Sequence, residues 1–262
     1  MEIIYGPVSS WRLGRSLGID LICKEEGKVC SFDCIYCSLG RTTEKTLERK
    51  LYVPTDLMEE DLRKTLKEVD ADIITFSGTG EPTLALNLGE AIMAVRKITD
   101  LPVAVLTNST LMVREDVRRE LTKADVIKGK LDAPNGEVLE AVNRPHQGVG
   151  FEELVKGMKL FRKGYRGKFS IEVMFVPQNV RYAGRIAEVI KEIGPDEVQI
   201  NTPTRPSPVG PLTPKQIEEI EENFKTMNFI SVYRAERVRI EKIVGGKKVG
   251  RLKRREGGGS RS

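Results

Sequence analysis

Val- and Ile-rich apolar runs alternate along the chain with segments of helical period, and this alternation limits the fold more than any other feature. Strands are expected at 16–22, 72–77, 102–107, 125–131, 169–176 and 196–201, with helices at 56–69, 87–98, 113–123, 151–163, 181–193 and 214–225. Thr55, after Pro54, is expected to cap the first helix, and Thr213, before Pro214, the last. Repeated strand–helix units give a parallel sheet with right-handed crossovers. Six of them, within residues 1–225, are too few to close an eight-stranded barrel. The expected fold class is therefore α/β, an open partial (β/α)6 barrel. Residues 226–250 read as a short C-terminal extension, with a strand or hairpin at 229–244, and 251–262 as a basic flexible tail. Ligands of such sheets sit at the carboxyl ends of the strands. Ser77, Asn108, Asp132 and Asn201 each fall at or just past one.

Charge is divided unevenly. The 262 residues carry a net charge of +5. Residues 245–262 hold Lys247, Lys248, Arg251, Lys253, Arg254, Arg255 and Arg261 against Glu256, a net of +6, which leaves residues 1–244 at −1. A neutral body with a basic tail suits either a solvated terminus or contact with nucleic acid or another acidic surface. With 39% hydrophobic and 31% charged residues, the composition is that of a globular chain. No run of 18 apolar residues occurs, so no membrane span is expected. The start, MEIIYGPV, has neither a basic nor an apolar leader pattern, which gives a cytoplasmic address. Charged residues abound beside one His and four Gln, a balance that fits a hyperthermophile.

All four cysteines lie within 15 residues: Cys23, Cys30, Cys34 and Cys37. Disulfides are disfavoured in a cytosolic chain, which leaves metal or redox chemistry. The spacing Cys30-x3-Cys34-x2-Cys37 puts three thiolates on one loop. Structural zinc takes four ligands, and the single His146 is more than 100 residues away, so zinc would have to recruit Cys23. An Fe–S cluster on three protein thiolates keeps one iron free for another ligand. Cys23 is either a buried packing residue or a partner in radical chemistry.

CSFDCIYC, residues 30–37, resembles the hallmark of the radical S-adenosylmethionine (SAM) superfamily: C-x3-C-x2-C after the first strand, with an aromatic residue before the last Cys. SGTGEP, residues 77–82, resembles that family's G-G-E-P segment at the end of the second strand. Gly78 and Gly80 let backbone come close to a ligand because no Cβ intervenes. The resemblance implies one 4Fe–4S cluster on Cys30, Cys34 and Cys37, with the methionine group of SAM chelating the fourth iron. It implies Tyr36 near the adenine and Glu81 at the methionine ammonium. Asn108, in LTNST, resembles the family's T-N segment and is implied at the SAM carboxylate or ribose. Lys130 and Asp132 stand where relatives place ribose contacts. Lys128, Lys130 and Asp132 share one strand face by the period of two, turned either outward or toward the site. Glu172 and Asn201, on the last two strands, face SAM or substrate, or serve structure alone. The chemistry implied is reductive cleavage of SAM to methionine and a 5′-deoxyadenosyl radical, which takes a hydrogen from the substrate. It calls for an electron donor of the ferredoxin or flavodoxin type.

SGTGEPTL at 77–84, LDAP at 131–134, NRPH at 143–146 and NTPTRPSP at 201–208 resemble the archaeal wyosine-type tRNA-modifying enzymes. Those enzymes carry a second cluster on extra N-terminal cysteines, and beyond the three motif ligands this chain has only Cys23. The resemblance and the basic tail together favour tRNA as substrate. The alternatives are an activating enzyme that installs a glycyl radical on a partner protein, whose short single-cluster build is similar, and a small-molecule radical SAM enzyme. A zinc-binding module is a further class, against which SGTGEP speaks. Arg205, in TPTRP, is a candidate substrate contact or else an exposed Arg on a Pro-stiffened loop. His146 either approaches the substrate from the open face or is a solvent-side loop residue. Trp11 is read as core.

Overall fold

The computed structural model describes residues 2–236, 238–240 and 243–244, and the basic tail lies outside them. The chain begins with an antiparallel hairpin, β1 (Ile4–Ser10) and β2 (Gly14–Ile19), joined through Trp11, Arg12 and Leu13. Gly14 makes this turn possible, with φ at +71° and Asp72 Oδ2 2.6 Å from where a Cβ would stand. A short pair follows, β3 (Val29–Cys30) with β4 (Glu44–Lys45). Helices and strands then alternate: α1 (Thr55–Thr65), β5 (Ile73–Phe76), α2 (Leu88–Ile98), β6 (Val103–Leu106), α3 (Glu115–Leu121), β7 (Val126–Lys130), α4 (Gly136–Asn143), α5 (Phe151–Gly164), β8 (Lys168–Met174), α6 (Ala183–Ile193), β9 (Glu197–Asn201), α7 (Pro214–Glu221) and β10 (Phe229–Ser231).

The main sheet has eight strands in the order β1-β2-β5-β6-β7-β8-β9-β10. β2 and β5 to β9 are the expected six parallel neighbours, β10 adds a further parallel strand beside β9, and β1 is an antiparallel edge. The sheet is strongly curled. Arg12, at the β1–β2 turn, bonds to Glu172 on β8, four strand positions along from β2. Across a flat sheet that separation would be about 19 Å, beyond the reach of any side chain.

Alternation along the strands sorts the side chains. Phe76, Val105, Ile127, Ile171, Val173 and Ile200 face the helices and are fully buried. The helices meet them with apolar stripes, as with Ile186, Ile190 and Ile193 of α6. The opposite, concave face carries Thr75, Lys128, Lys130, Glu172, Gln199 and Asn201. Lys128 Nζ donates to Gln199 at 2.9 Å across two strands, and Asn201 Nδ2 donates to Glu172 at 2.9 Å. The face shared by Lys128, Lys130 and Asp132 thus turns into the barrel and not outward.

Local expectations meet mixed outcomes. Thr213 caps α7, and Gln216 completes a capping box. Thr55 does not cap α1: Pro54 holds that position, and Thr55 Oγ1 instead accepts from Asn87 Nδ2 at 2.9 Å. Of the expected strand or hairpin at 229–244, the described residues show one strand, β10, and Val244 lies beside β1, where Gly6 N donates to Val244 O at 3.0 Å. That contact covers an edge that would otherwise expose unpaired backbone groups.

Candidate active site

The cysteine loop is braced from two sides. On one side β3 docks on the segment after β5: Val29 N donates to Thr79 O at 3.2 Å, and Glu81 N donates to Val29 O at 3.0 Å. Gly80 permits this approach, since a Cβ there would lie 2.0 Å from Val29 O. Gly78 has φ +144°, and Asp20 fills the place of its Cβ at 2.2 Å. Where these glycines lack a Cβ, protein packs on protein; the space is not left to a ligand. On the other side, Asp33 N and Ile35 N donate to Asn143 O and Val142 O, at the end of α4, at 2.9 and 3.0 Å.

Side chains from the strand ends converge on this loop. Asn108 Nδ2 donates to Ser31 Oγ at 2.8 Å and to Cys30 Sγ at 3.5 Å. Asn143 Nδ2 donates to Cys34 Sγ at 3.4 Å and to Asp132 Oδ2 at 2.7 Å. Tyr36 OH donates to Asp132, which also accepts from Met174 N at 2.7 Å. Lys130 Nζ stands 3.7 Å from Asp132, 3.5 Å from Glu172 and 5.2 Å over the Tyr36 ring. Its burial lowers its pKa, but Asp132 and Glu172 outweigh that and raise it.

Glu81 departs from its expected role. It is 3% exposed, and four donors already surround its carboxylate: Thr83 N and Oγ1 at 3.1 and 2.7 Å, Thr107 Oγ1 at 2.6 Å and Asn108 N at 2.7 Å. Burial pushes its pKa up, and these donors pull it partly back. The carboxylate ties the ends of β5 and β6 together, which leaves it poorly placed to receive a ligand's ammonium. His146 likewise turns away: its N donates to Ser31 O at 2.8 Å and its Nδ1 accepts from Gly148 N at 3.1 Å, behind the cysteine loop and off the cavity wall.

A cavity of about 250 Å³ opens beside Tyr36, Cys37 and Ser38. Glu172 and Met174 of β8, Asn201 of β9, and the loop through Arg205 form its walls, together with Trp11 and Arg12 of the hairpin turn. Trp11 is half-buried at this wall, with the Arg12 guanidinium 5.1 Å over its ring, so it is not a core residue. Burial raises the pKa of Glu172, but Arg12 and Lys130 outweigh it and hold the carboxyl well below the usual range. Arg12 Nε is buried without a protein partner, the kind of atom a bound polar molecule satisfies. Sequence reasoning missed Arg12, because its place depends on the curl of the sheet.

The donor set fits an iron–sulfur cluster. Burial foremost, with Glu81 beside it, pushes the Cys30 thiol up to about 12; burial, with Asp132 beside it, pushes Cys34 up to about 11. Lys28 is buried and was also missed; burial lowers its pKa, but the charges of Cys37, Cys30 and Cys34 outweigh that and raise it. A buried ammonium among thiols is matched in charge once those thiols become thiolates, the state that metal ligation enforces. Among the described residues, no three Cys, His, Asp or Glu side chains close around one ion. Three thiolates on separate irons need no common centre, whereas tetrahedral zinc does.

The curled parallel sheet with this loop at its carboxyl end defines a class: the chain belongs to the radical SAM superfamily, whose family model matches residues 27–190. It is a radical SAM enzyme, with a 4Fe–4S cluster and SAM as cofactors. Within that class its relatives include UPF0026 proteins. It is 42% identical to one from Synechocystis sp., over 79% of this chain and 77% of the relative. It is 38% identical to another from Methanocaldococcus jannaschii, over 88% and 72%. Both a cyanobacterium and an archaeon hold such relatives, so the family does not make the chain archaeal. Among solved structures, Streptococcus suis SuiB bound to S-adenosylmethionine has a TM-score of 0.63 at 14% identity, over 84% of this chain and only half, 50%, of SuiB. TYW1 with a lysine–pyruvate adduct bound has a TM-score of 0.60 at 13% identity, over 81% and 74%. At these identities the likeness is one of fold. No helix of the described residues is long and apolar enough to cross a membrane.

Proposed function

We propose that this radical SAM enzyme modifies RNA, with tRNA as its substrate. The observation that carries this reading is the segregation of charge: residues 245–262 have a net charge of +6 and residues 1–244 one of −1. Phosphate contacts supply most of the affinity for nucleic acid, and they need clustered Lys and Arg. Val244, which precedes the tail, is hydrogen-bonded to Gly6 on the hairpin whose turn lines the cavity. In this reading residues 1–225 carry the radical chemistry and the cations of 245–262 hold the substrate. Cys30, Cys34 and Cys37 ligate the cluster, while Tyr36, Lys130, Asp132 and Asn108 shape the SAM side of the site. Gly78, Gly80 and Glu81 keep the strand ends in register beneath it. Arg205 and Arg12 meet the substrate across the cavity. When bound, the cofactors supply one electron and a 5′-deoxyadenosyl radical for hydrogen abstraction, with a ferredoxin- or flavodoxin-type protein as reductant.

Truncation after Val244 tests the assignment. With about three to five tail cations on phosphates, the logarithm of the tRNA binding constant falls against the logarithm of salt with a slope of about −2 to −4. Truncation flattens that slope and weakens binding, while SAM cleavage persists. Equal, weak tRNA binding by both chains at physiological salt would favour a partner-protein substrate. That second reading draws support from the single-cluster build and from a fold neighbour, SuiB, whose structure includes its bound precursor peptide SuiA.

A further inference from the structure

The chain's single tryptophan, Trp11, stands on the β1–β2 turn and lines the cavity. It is held there as a rigid plate. Ser10 Oγ accepts from Arg12 N at 3.3 Å and from Leu13 N at 3.2 Å, which fixes the turn. The Arg12 guanidinium lies 5.1 Å over the indole, and its Nη1 is fastened to Glu172. Glu172 is held in turn by Lys130 Nζ and Asn201 Nδ2, at 3.5 and 2.9 Å. Beyond Trp11 and Tyr36, the cavity wall is mostly polar: Met174 and Pro203 add apolar surface, against Arg12, Arg205, Ser9, Ser38 and Thr204. An aliphatic side chain of a protein substrate would leave such groups unpaired. A flat heterocycle with ring acceptors and an attached sugar phosphate meets both the rings and the polar wall.

We infer that Trp11 and Arg12 form a base-stacking platform, and that the substrate presents one unpaired nucleotide to the cavity. This rests on the RNA reading and names the part of the RNA that enters. Every base has a π-face, and an indole or a guanidinium plane receives it without regard to sequence. At about 250 Å³ the cavity falls just short of the roughly 300–1,000 Å³ of small-molecule pockets, so it takes a single base and not a stacked helix. The target therefore lies in a loop or swings out of its stack. Arg205, on the same wall, supplies a cation for the adjoining phosphate. A nucleotide within RNA and a free nucleotide share this chemistry, and the experiment separates them.

As the sole tryptophan, Trp11 reports its own contacts. The full chain is reconstituted anaerobically, kept oxidised so that SAM is not cleaved, and saturated with SAM; its tryptophan fluorescence is then followed as RNA is added. tRNA and a short single-stranded RNA are expected to quench it, and a blunt RNA duplex to leave it unchanged. By filter binding, Trp11→Ala weakens tRNA binding about 5- to 150-fold. The factor is the same at each salt concentration, because stacking releases no counterions. Trp11→Phe, which keeps a ring, recovers most of that loss, and both variants keep their iron and bind SAM. If tRNA binds with the fluorescence unchanged, or if Trp11→Ala binds tRNA as the wild type does, the platform is overturned while the RNA reading stands. Quenching by SAM alone, with no further change on adding RNA, assigns the indole to the cofactor and overturns it too, as does equal quenching by the duplex. Quenching by a free nucleoside monophosphate, with tRNA bound equally weakly by full-length chain and chain truncated after Val244, upholds the platform and sinks the RNA reading. If Trp11→Ala does not fold, the wild-type fluorescence decides.

Discussion

Glu81 illustrates how a motif residue can matter without meeting a ligand. Its four donors come from Thr83, Thr107 and Asn108, all in the buried strand ends. Glu81→Ala strands those donors, at about 1–3 kcal/mol, and the melting temperature is expected to fall by about 2–12 °C. Weaker SAM binding at an unchanged melting temperature would return the carboxylate to the ligand. The cysteines separate by a different readout. Alanine at Cys30, Cys34 or Cys37 is expected to abolish the iron signal of the reconstituted protein. Cys23→Ala is expected to keep about four irons, because the buried Cys23 sulfur bonds to Glu2 O at 3.2 Å. Lys128 sets a pH dependence. Burial foremost, with Arg12 beside it, pushes its pKa down to about 6, against a pull from Glu172 and Glu197 and a further push from Lys168. Between about pH 6 and the ordinary lysine value of about 10.4, the unfolded chain binds the extra proton. This group therefore makes stability rise with pH through that window. Lys128→Met removes that contribution, and melting temperatures that climb as steeply in the variant would show the charge lies elsewhere.

At the scale of elements, the glycines of the β5 turn hold the cysteine loop in place. A Cβ at Gly80 would meet backbone, Val29 O, and backbone cannot rotate aside as a side chain can. Gly80→Ala is expected to shift β3, which carries Cys30, and to lower iron retention although no ligand has changed. Full iron in that variant would show the loop to be more tolerant than its packing implies. Much of this level was legible in the sequence. Long apolar runs marked β5 to β9 because each buries one face under helices, and Pro214 after Thr213 marked the start of α7. β1 and α4 were not legible. β1 is broken by Gly6 and Pro7, and its pairing with β2 slips between Tyr5 and Val8. α4 spans only Gly136–Asn143, too short to show a period, although Asn135 caps it by accepting from Val138 N at 3.0 Å. Thr55 misled because a residue suited to capping was recruited to a buried bond with Asn87.

For the whole molecule, the site splits into a part written locally and a part made by curvature. Cys30, Cys34, Cys37 and Tyr36 sit on one loop, and their spacing alone pointed to the chemistry. Arg12 meets Glu172 only because the sheet curls the hairpin turn back over its far strands, and no local pattern encodes that meeting. Lys28 escaped notice for a related reason: a lysine near a cysteine motif looks like any solvated charge until its burial is known. The polar concave face is the fold-level counterpart, since the period of two shows that Lys128, Lys130 and Asp132 share a face but not which way it turns. The central claim is that this barrel cleaves SAM at a cluster held by the three motif cysteines. Its most direct test is the amount of 5′-deoxyadenosine released when the anaerobically reconstituted, dithionite-reduced full chain is given SAM. The wild-type chain is expected to form it together with methionine, and Cys34→Ala to form none. A wild-type chain loaded with a complete, reducible cluster that releases no 5′-deoxyadenosine, with or without tRNA, would contradict the account.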